Sequence, residues 1–216
     1  MIVSMWMTRN VATIGPQTPV MAAAELMATR RIRRLPVVES HADGLQIVGI
    51  VAARDILHAF PPDVNPFAVL APSASAAPVM VEHIMSRHPQ TIEPDAPIES
   101  AAALMAERKI GALPVVRAGR LAGLITESDI FRVFASFFAS PQHSARITFD
   151  VSSGEDVFAW VSRETLRRYL RIISLISSRQ ENVPVCVVRI AGNSVNEFLE
   201  DLWNSGHRVL NVIRYP

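Results

Sequence analysis

The chain has 216 residues, half of them apolar, enough for roughly one large hydrophobic core or two to three small ones. A formal net charge of +1 offers no bulk attraction to nucleic acid or a membrane surface, and a lone cysteine, Cys186, excludes an internal disulfide and fits a reducing compartment. Met1-Ile-Val-Ser-Met-Trp-Met7 lacks a basic n-region and a cleavage site, and the longest apolar stretch, Ile130–Ala139, is interrupted by Arg132, so a soluble cytoplasmic protein is expected.

In chain order, the first helix signal runs from Pro19 to Arg31, with proline in the first turn and Leu26-Met27 turned toward a core. Leu35–Glu39 follows as a short strand, then a turn at Asp43-Gly44 and a second strand over Gln46–Val51. Residues 61–80 are rich in proline and small side chains and read as an extended linker. A second helix signal spans Pro97–Lys109, with strands at Leu113–Arg117 and Leu121–Ile125 around an Ala118-Gly119 turn. The spacing of Ile130, Val133, Phe134, Phe137 and Phe138 predicts a further helix face.

These elements come twice. Val3–Val38 aligns without a gap on Val81–Val116, an offset of 78 residues. Met7/Met85, Arg9/Arg87, Thr13-Ile14/Thr91-Ile92, Pro16/Pro94 and Pro19/Pro97 match, and Leu35-Pro-Val-Val38 recurs as Leu113-Pro-Val-Val116. After a length change, Gly49-Ile-Val-Ala52-Ala-Arg-Asp55 matches Gly123-Leu-Ile-Thr126-Glu-Ser-Asp129. A duplication this regular shows two copies of one unit of about 60 residues, neither able to bury enough surface alone.

The corner Thr126-Glu-Ser-Asp129 admits two readings. A hydroxyl and a carboxylate three residues apart at a strand-to-helix corner can face one cleft, where the acid would accept ribose hydroxyl protons. The same pattern is a capping box, with the threonine capping the helix and the acid reaching back. From the corner alone the two stand level.

The Met-Thr/Ser-Arg lead-in, the Thr-Ile with its downstream proline, the Leu-Pro-Val-Val strand and the Gly-apolar-apolar-Thr/Ala-x-x-Asp corner, each present twice, resemble a tandem pair of CBS domains, the Bateman module. The resemblance covers residues 1–139, with copies at 1–60 and 81–140. It implies paired strand-helix-strand-strand-helix units that bind an adenine nucleotide or related adenosyl ligand between them and regulate something else. It also implies clefts that join the corner of one copy to the first strand and pre-Leu-Pro residues of the other. The main cleft would then collect Thr126, Asp129, Ala12, Ile32, Arg33 and Arg34, with a guanidinium suited to phosphate. The second, weaker cleft would hold Ala52, Asp55, Gln90, Ile110 and Gly111, with Arg54 as its only nearby cation, and is poor in all but the carboxylate. Arg30 and Arg31 read as solvated charges at a helix C-terminus.

Beyond Ser140-Pro141 the pattern changes. Strands are expected at Ala145–Val151, Leu170–Ser177, Val183–Ile190 and Val209–Ile213. Helices are expected from Glu155 to about Arg168, with Val157, Trp160, Val161 and Leu166 as apolar contacts, and over Ser194–Asn204. The order βαββαβ over 145–216 is ferredoxin-like. It is similar to an ACT domain, and CBS pairs followed by an ACT domain resemble acetoin-utilisation accessory proteins. The family's first-loop Asp-x-Pro-Gly turn is replaced here by Asp150-Val-Ser-Ser-Gly154.

The expected fold is therefore α/β (α+β), a CBS pair plus a ferredoxin-like, ACT-like domain. No nucleophile–base pair, Walker loop, Gly-x-Ser-x-Gly elbow or metal-ligand spacing of histidines stands out, so catalysis, a catalytic cofactor and a metal are not expected. The expected ligand is AMP, ADP, ATP or another adenosyl compound. The expected assembly is a homodimer with no nucleic-acid or membrane partner, since Phe131, Phe134, Phe137 and Phe138 exceed what one small unit hides. A purely structural dimerisation or docking protein, and an amino-acid sensor acting through the C-terminal domain, are the rival readings.

Overall fold

The computed structural model describes residues 1–42, 44–60, 67, 79–137, 142–154, 156–180 and 182–216. It divides into two compact units, Met1–Val133 and Phe134–Pro216. Of the expected linker only Phe67, Val79 and Met80 are described, and Asp43, Phe138, Ser140, Pro141 and Glu155, the expected start of a helix, lie outside the described residues.

In the first unit, copy one supplies α1 (Val20–Arg30), β1 (Arg34–His41), β2 (Gly44–Ala52) and α2 (Ala53–His58). After the two-residue β3 (Ser86–Arg87), copy two supplies α3 (Ile98–Arg108), β4 (Ala112–Arg117), β5 (Arg120–Thr126) and α4 (Glu127–Phe137), which runs past Val133 into the second unit. The opening strand expected in each copy shrinks to one parallel bridge, Ile14 with Val37 and Ile92 with Val115. Pro16 and Pro94, two residues on, have no N–H with which to extend a ladder. Pro19 and Pro97 are the N-caps of α1 and α3, one position earlier than expected.

Both helices end alike. Arg31 and Lys109 take left-handed conformations at φ 53°, and the next N–H reaches back five residues, from Ile32 to the Met27 carbonyl and from Ile110 to that of Met105. A side chain in this region costs about 1–2 kcal/mol. Both copies accept that cost to turn the chain sharply into the strand that follows.

The copies exchange their lead-ins. Val81 and Met85 pack in the core of copy one with Val20, Met27, Leu35 and Val51, whereas Val3 packs in the core of copy two with Ile98, Met105, Leu113 and Ile125. The backbone is laced accordingly: Thr8 and Leu124 exchange two hydrogen bonds at 2.9 Å, and Val81 N–H donates to the Thr18 carbonyl at 2.9 Å. The glycines of the repeated Gly-apolar-apolar motif explain how the segments cross. A Cβ at Gly123 would stand 2.7 Å from the Thr8 carbonyl oxygen, and one at Gly49 would stand 2.5 Å from the Met85 sulfur. Only a bare Cα lets the crossing chain lie against the strand. One sheet runs β1-β2-β5-β4 with β3 on β2, and the copies join in it through Gln46 opposite Arg120.

The second unit comprises β6 (Ser144–Asp150), α5 (Val157–Arg167), β7 (Arg171–Gln180), β8 (Val183–Ala191), α6 (Val195–Asn204) and β9 (Val209–Tyr215). Its antiparallel sheet runs β7-β8-β6-β9, the ferredoxin-like order, with Phe149, Val188, Ile190, Phe198 and Leu199 fully buried. Two details correct the sequence expectation. α5 starts at Val157 because the Asp156 carboxylate caps it, accepting from Ala159 N–H at 3.0 Å. Leu166 is 78% exposed, because Val157, Val161 and Thr165, at fourfold spacing, occupy the inward stripe and 166 falls outside it. Cys186 is buried in this core, and burial pushes its thiol pKa up, away from reactivity. Among the described residues no helix is long and apolar enough to cross a membrane.

Candidate functional site

The chemistry of the first unit gathers where β5 turns into α4 and β2 into α2. In the second copy the capping box is made. Thr126 N–H and Thr126 Oγ1 both donate to Asp129 Oδ2, at 2.8 and 2.7 Å, and Asp129 N–H approaches Thr126 Oγ1 at 3.4 Å. The other oxygen, Oδ1, is paired with Arg132 one turn along the helix. Asp129 is thus buried, at 4% exposure, with both oxygens engaged by its own helix.

The first copy lacks the hydroxyl. Among the described residues Asp55 Oδ2 accepts only the Ala52 N–H, at 2.8 Å, and the carboxylate is half-buried. The residue equivalent to Arg132 in the repeat is His58, which forms no ion pair among the described residues.

Two cavities flank these corners. The first, of about 370 Å³, is lined by all six main-cleft residues: Ala12, Ile32, Arg33, Arg34, Thr126 and Asp129. Arg30 and Arg31 line it as well, so they are cleft cations as well as helix-end charges. The second, of about 440 Å³, collects Ala52, Arg54, Asp55, Gln90, Ile110 and Gly111. Arg54 is not its only cation, as the sequence suggested: Arg33, Arg34 and Lys109 line it too. The reason is geometric. The start of β1 lies between the two cavities, and Lys109 holds the same left-handed helix-end position as Arg31. That equivalence was legible in the repeat and pointed to both residues.

Arg34 is the most constrained of these cations. Its Nη2 stands 3.9 Å from Glu127 Oε2, and a Cβ at residue 111 would fall 2.0 Å from that nitrogen. Gly111 is therefore the floor over which the guanidinium lies. Burial holds the Arg34 pKa below its usual value; Glu127 opposes this, while Arg33 and Arg54 add to it.

In the second unit, the loop after β6 is closed on itself. Asp150 Oδ1 accepts the Ser152 N–H at 2.9 Å and the Ser152 hydroxyl, and Oδ2 pairs with Arg208 at 3.2 Å. The Ser152 hydroxyl, then its N–H, hold the Asp150 pKa below the ordinary carboxylate value. Glu164 is held low in the same way, chiefly by its bond from Arg168, which also pairs with Asp201 and ties α5 to α6. Both are structural networks whose oxygens face their own neighbours.

The CBS domain family profile matches residues 3–62 and 81–136. The chain belongs to this family. Among curated relatives, the inosine-5'-monophosphate dehydrogenase of Korarchaeum cryptofilum is 30% identical over 185 residues, which is 84% of this chain but 34% of that enzyme. The chain therefore spans about a third of the length of that relative. Among solved structures, a CBS domain pair in complex with 5'-methylthioadenosine and S-adenosyl-L-methionine is 27% identical, with a TM-score of 0.51 over 62% of this chain and 96% of that one. A candidate acetoin utilization protein of Vibrio cholerae is 27% identical, with a TM-score of 0.52 over 65% of this chain and 98% of that one. CBSX2 in complex with AMP is 25% identical, with a TM-score of 0.51 over 62% of this chain and 96% of that one. In this CBS pair, then, each family match contains one of the two corners, and residues of both copies line each of the two cavities.

Proposed function

We propose that this chain is a regulatory sensor that binds an adenosyl ligand, foremost AMP, ADP or ATP, in the clefts of its CBS pair and signals to a protein partner. The observation that carries the reading is convergence. In each cavity a corner carboxylate for ribose, an apolar wall for a base and guanidinium groups for phosphate come from both copies, around a volume within the small-ligand range. Related CBS proteins solved with AMP, and with S-adenosyl-L-methionine and 5'-methylthioadenosine, support the same ligand class.

The C-terminal unit is proposed as an ACT-like assembly or output domain in a cytoplasmic homodimer. Its Asp150–Gly154 loop is already satisfied internally, which weighs against an amino-acid ligand there. Helix α4 exposes Phe131, Phe134 and Phe137, apolar surface of the kind a second copy or a partner covers.

A thermal-shift screen against AMP, ADP, ATP, S-adenosylmethionine, NADH and amino acids tests the proposal. A single ligand at 100 times its Kd should stabilise the folded chain by about 2.7 kcal/mol. Stabilisation by amino acids alone would transfer the sensing role to the C-terminal unit, and no stabilisation by any of them would leave a purely structural module. Light scattering at micromolar concentration tests the dimer, and a monomer mass would rule it out.

A further inference from the structure

Arg33 and Arg34 both line the two cavities, but Arg33 is exposed, whereas Arg34 is half-buried and pairs with Glu127, a wall of the second cavity. The counterpart of Arg34 in the repeat is Ala112, and that of Arg33 is Gly111, so the copy-two side of the pair carries no guanidinium at either position. The Arg34 side chain leans toward the second cavity. Glu127, 3.9 Å away, and Gly111, beneath the guanidinium, are both walls of that cavity, and Arg54 and Asp55 of the same wall act on it electrostatically.

We propose that Arg34 is a shared phosphate ligand that makes the two clefts anticooperative toward phosphate-bearing nucleotides while leaving them independent toward uncharged adenosyl ligands. This rests on the adenosyl reading above and deepens it. One planar guanidinium can make its paired hydrogen bonds to one phosphate at a time. A phosphate in the first cleft draws Arg34 away from Glu127. The Glu127 carboxylate then stands uncompensated in the wall of the second cleft, where it repels another phosphate. A phosphate in the second cleft keeps Arg34 over Gly111 and leaves the first cleft with its remaining arginines. Thermodynamic linkage makes the two effects equal. Adenosine has no phosphate, makes no claim on Arg34, and should sense no such coupling.

The test must separate coupling from two sites that simply differ in affinity. Asp55→Asn, and Ala12→Trp in the wall of the first cavity, each disable one cleft without altering Arg34. Calorimetric titration of each gives the affinity of the other cleft alone. In the unaltered full-length chain, the weaker AMP event should then be at least about fivefold weaker than the same cleft measured alone, the lower end of ordinary coupling. With adenosine the two values should agree. In Arg34→Ala, or Arg34→Gln as the milder change, the AMP values should agree as well. A single AMP per chain in the wild type and two in Arg34→Ala would be the limiting form of the same result. Matching affinities for AMP in the unaltered chain would overturn the coupling alone, as would a discrepancy that survives removal of Arg34. Absence of binding by both AMP and adenosine would overturn the adenosyl reading and the coupling with it.

Discussion

The two corners of the CBS pair descend from one motif and have come to opposite uses of their carboxylates. At Thr126–Asp129 the acid is buried and engaged by Thr126 through one oxygen and Arg132 through the other. At Ala52–Asp55 it is half-buried and, among the described residues, accepts one hydrogen bond, from Ala52 N–H. The corner richer in functional groups is thus the one more fully satisfied by itself, and the poorer one has acceptor capacity to spare. A ligand at the first must displace bonds the protein already makes, whereas a ligand at the second adds them.

The strongest way to break this comparison is to remove each acid in turn. Asp55→Ala should weaken AMP binding in the second cleft roughly tenfold to a hundredfold, the loss of charge-assisted hydrogen bonds of about 1.5–3 kcal/mol. Asp129→Ala should cost less affinity, because part of what the acid offers a ribose is already spent on Thr126 and Arg132. Titration calorimetry of both folded variants decides the matter, and a larger loss at Asp129 would show that its internal bonds yield readily to ligand.

Stability should rank the other way. Asp129→Ala removes a completed capping box and should destabilise by about 0.5–2 kcal/mol in denaturant unfolding. Asp55→Ala should lie at or below the bottom of that range, since Ala52 has no hydroxyl to complete the box.

Interchanging the corners sharpens the point. Ala52→Thr should let Asp55 close a box of its own, stabilising α2 by up to about 1 kcal/mol while weakening the second cleft. Arg132→Ala should free one oxygen of Asp129 and tighten AMP in the first cleft by up to about fivefold, the limit set by an exposed pair worth at most about 1 kcal/mol. If Arg132→Ala leaves AMP affinity untouched, the pair with Arg132 does not compete with ligand.

The smallest effect concerns acid. Glu164 has its folded pKa lowered below the ordinary 4.5, mainly by Arg168, so its contribution is complete above that value and is lost as pH falls through the lower folded value. Glu164→Gln should reduce the stability of the C-terminal unit at pH 7 and flatten its pH dependence below 4.5. Urea midpoints at neutral and acid pH, followed by Trp160 and Trp203 fluorescence, would show it, and unaltered acid sensitivity would assign that role elsewhere.

Much of this was legible in the residues. The duplication at an offset of 78 announced two equivalent units, and the repeated Gly-apolar-apolar and Leu-Pro-Val-Val motifs located their strands. The six residues expected to form the main cleft line one cavity. Less legible were Leu166, whose hydrophobicity says nothing of which way it faces, and the cation count of the second cleft. Arg33 and Arg34 precede a strand that borders both cavities, and no one-dimensional spacing shows that a side chain has two neighbours.

The sequence by itself determined the duplication, most of the secondary structure and the set of groups available at each corner, because these follow from local periodicity and from residue identity. The tertiary structure decided how those groups are spent. It crossed the lead-ins so that Val3 and Val81 complete each other's cores, over glycines that keep no Cβ in the way. It closed Asp129 on its own helix and left Asp55 half-exposed, and it laid the guanidinium of Arg34 across Gly111 between two cavities. Those outcomes depend on which side chains meet across distant stretches of chain, where burial sets the cost of leaving a charge unpaired.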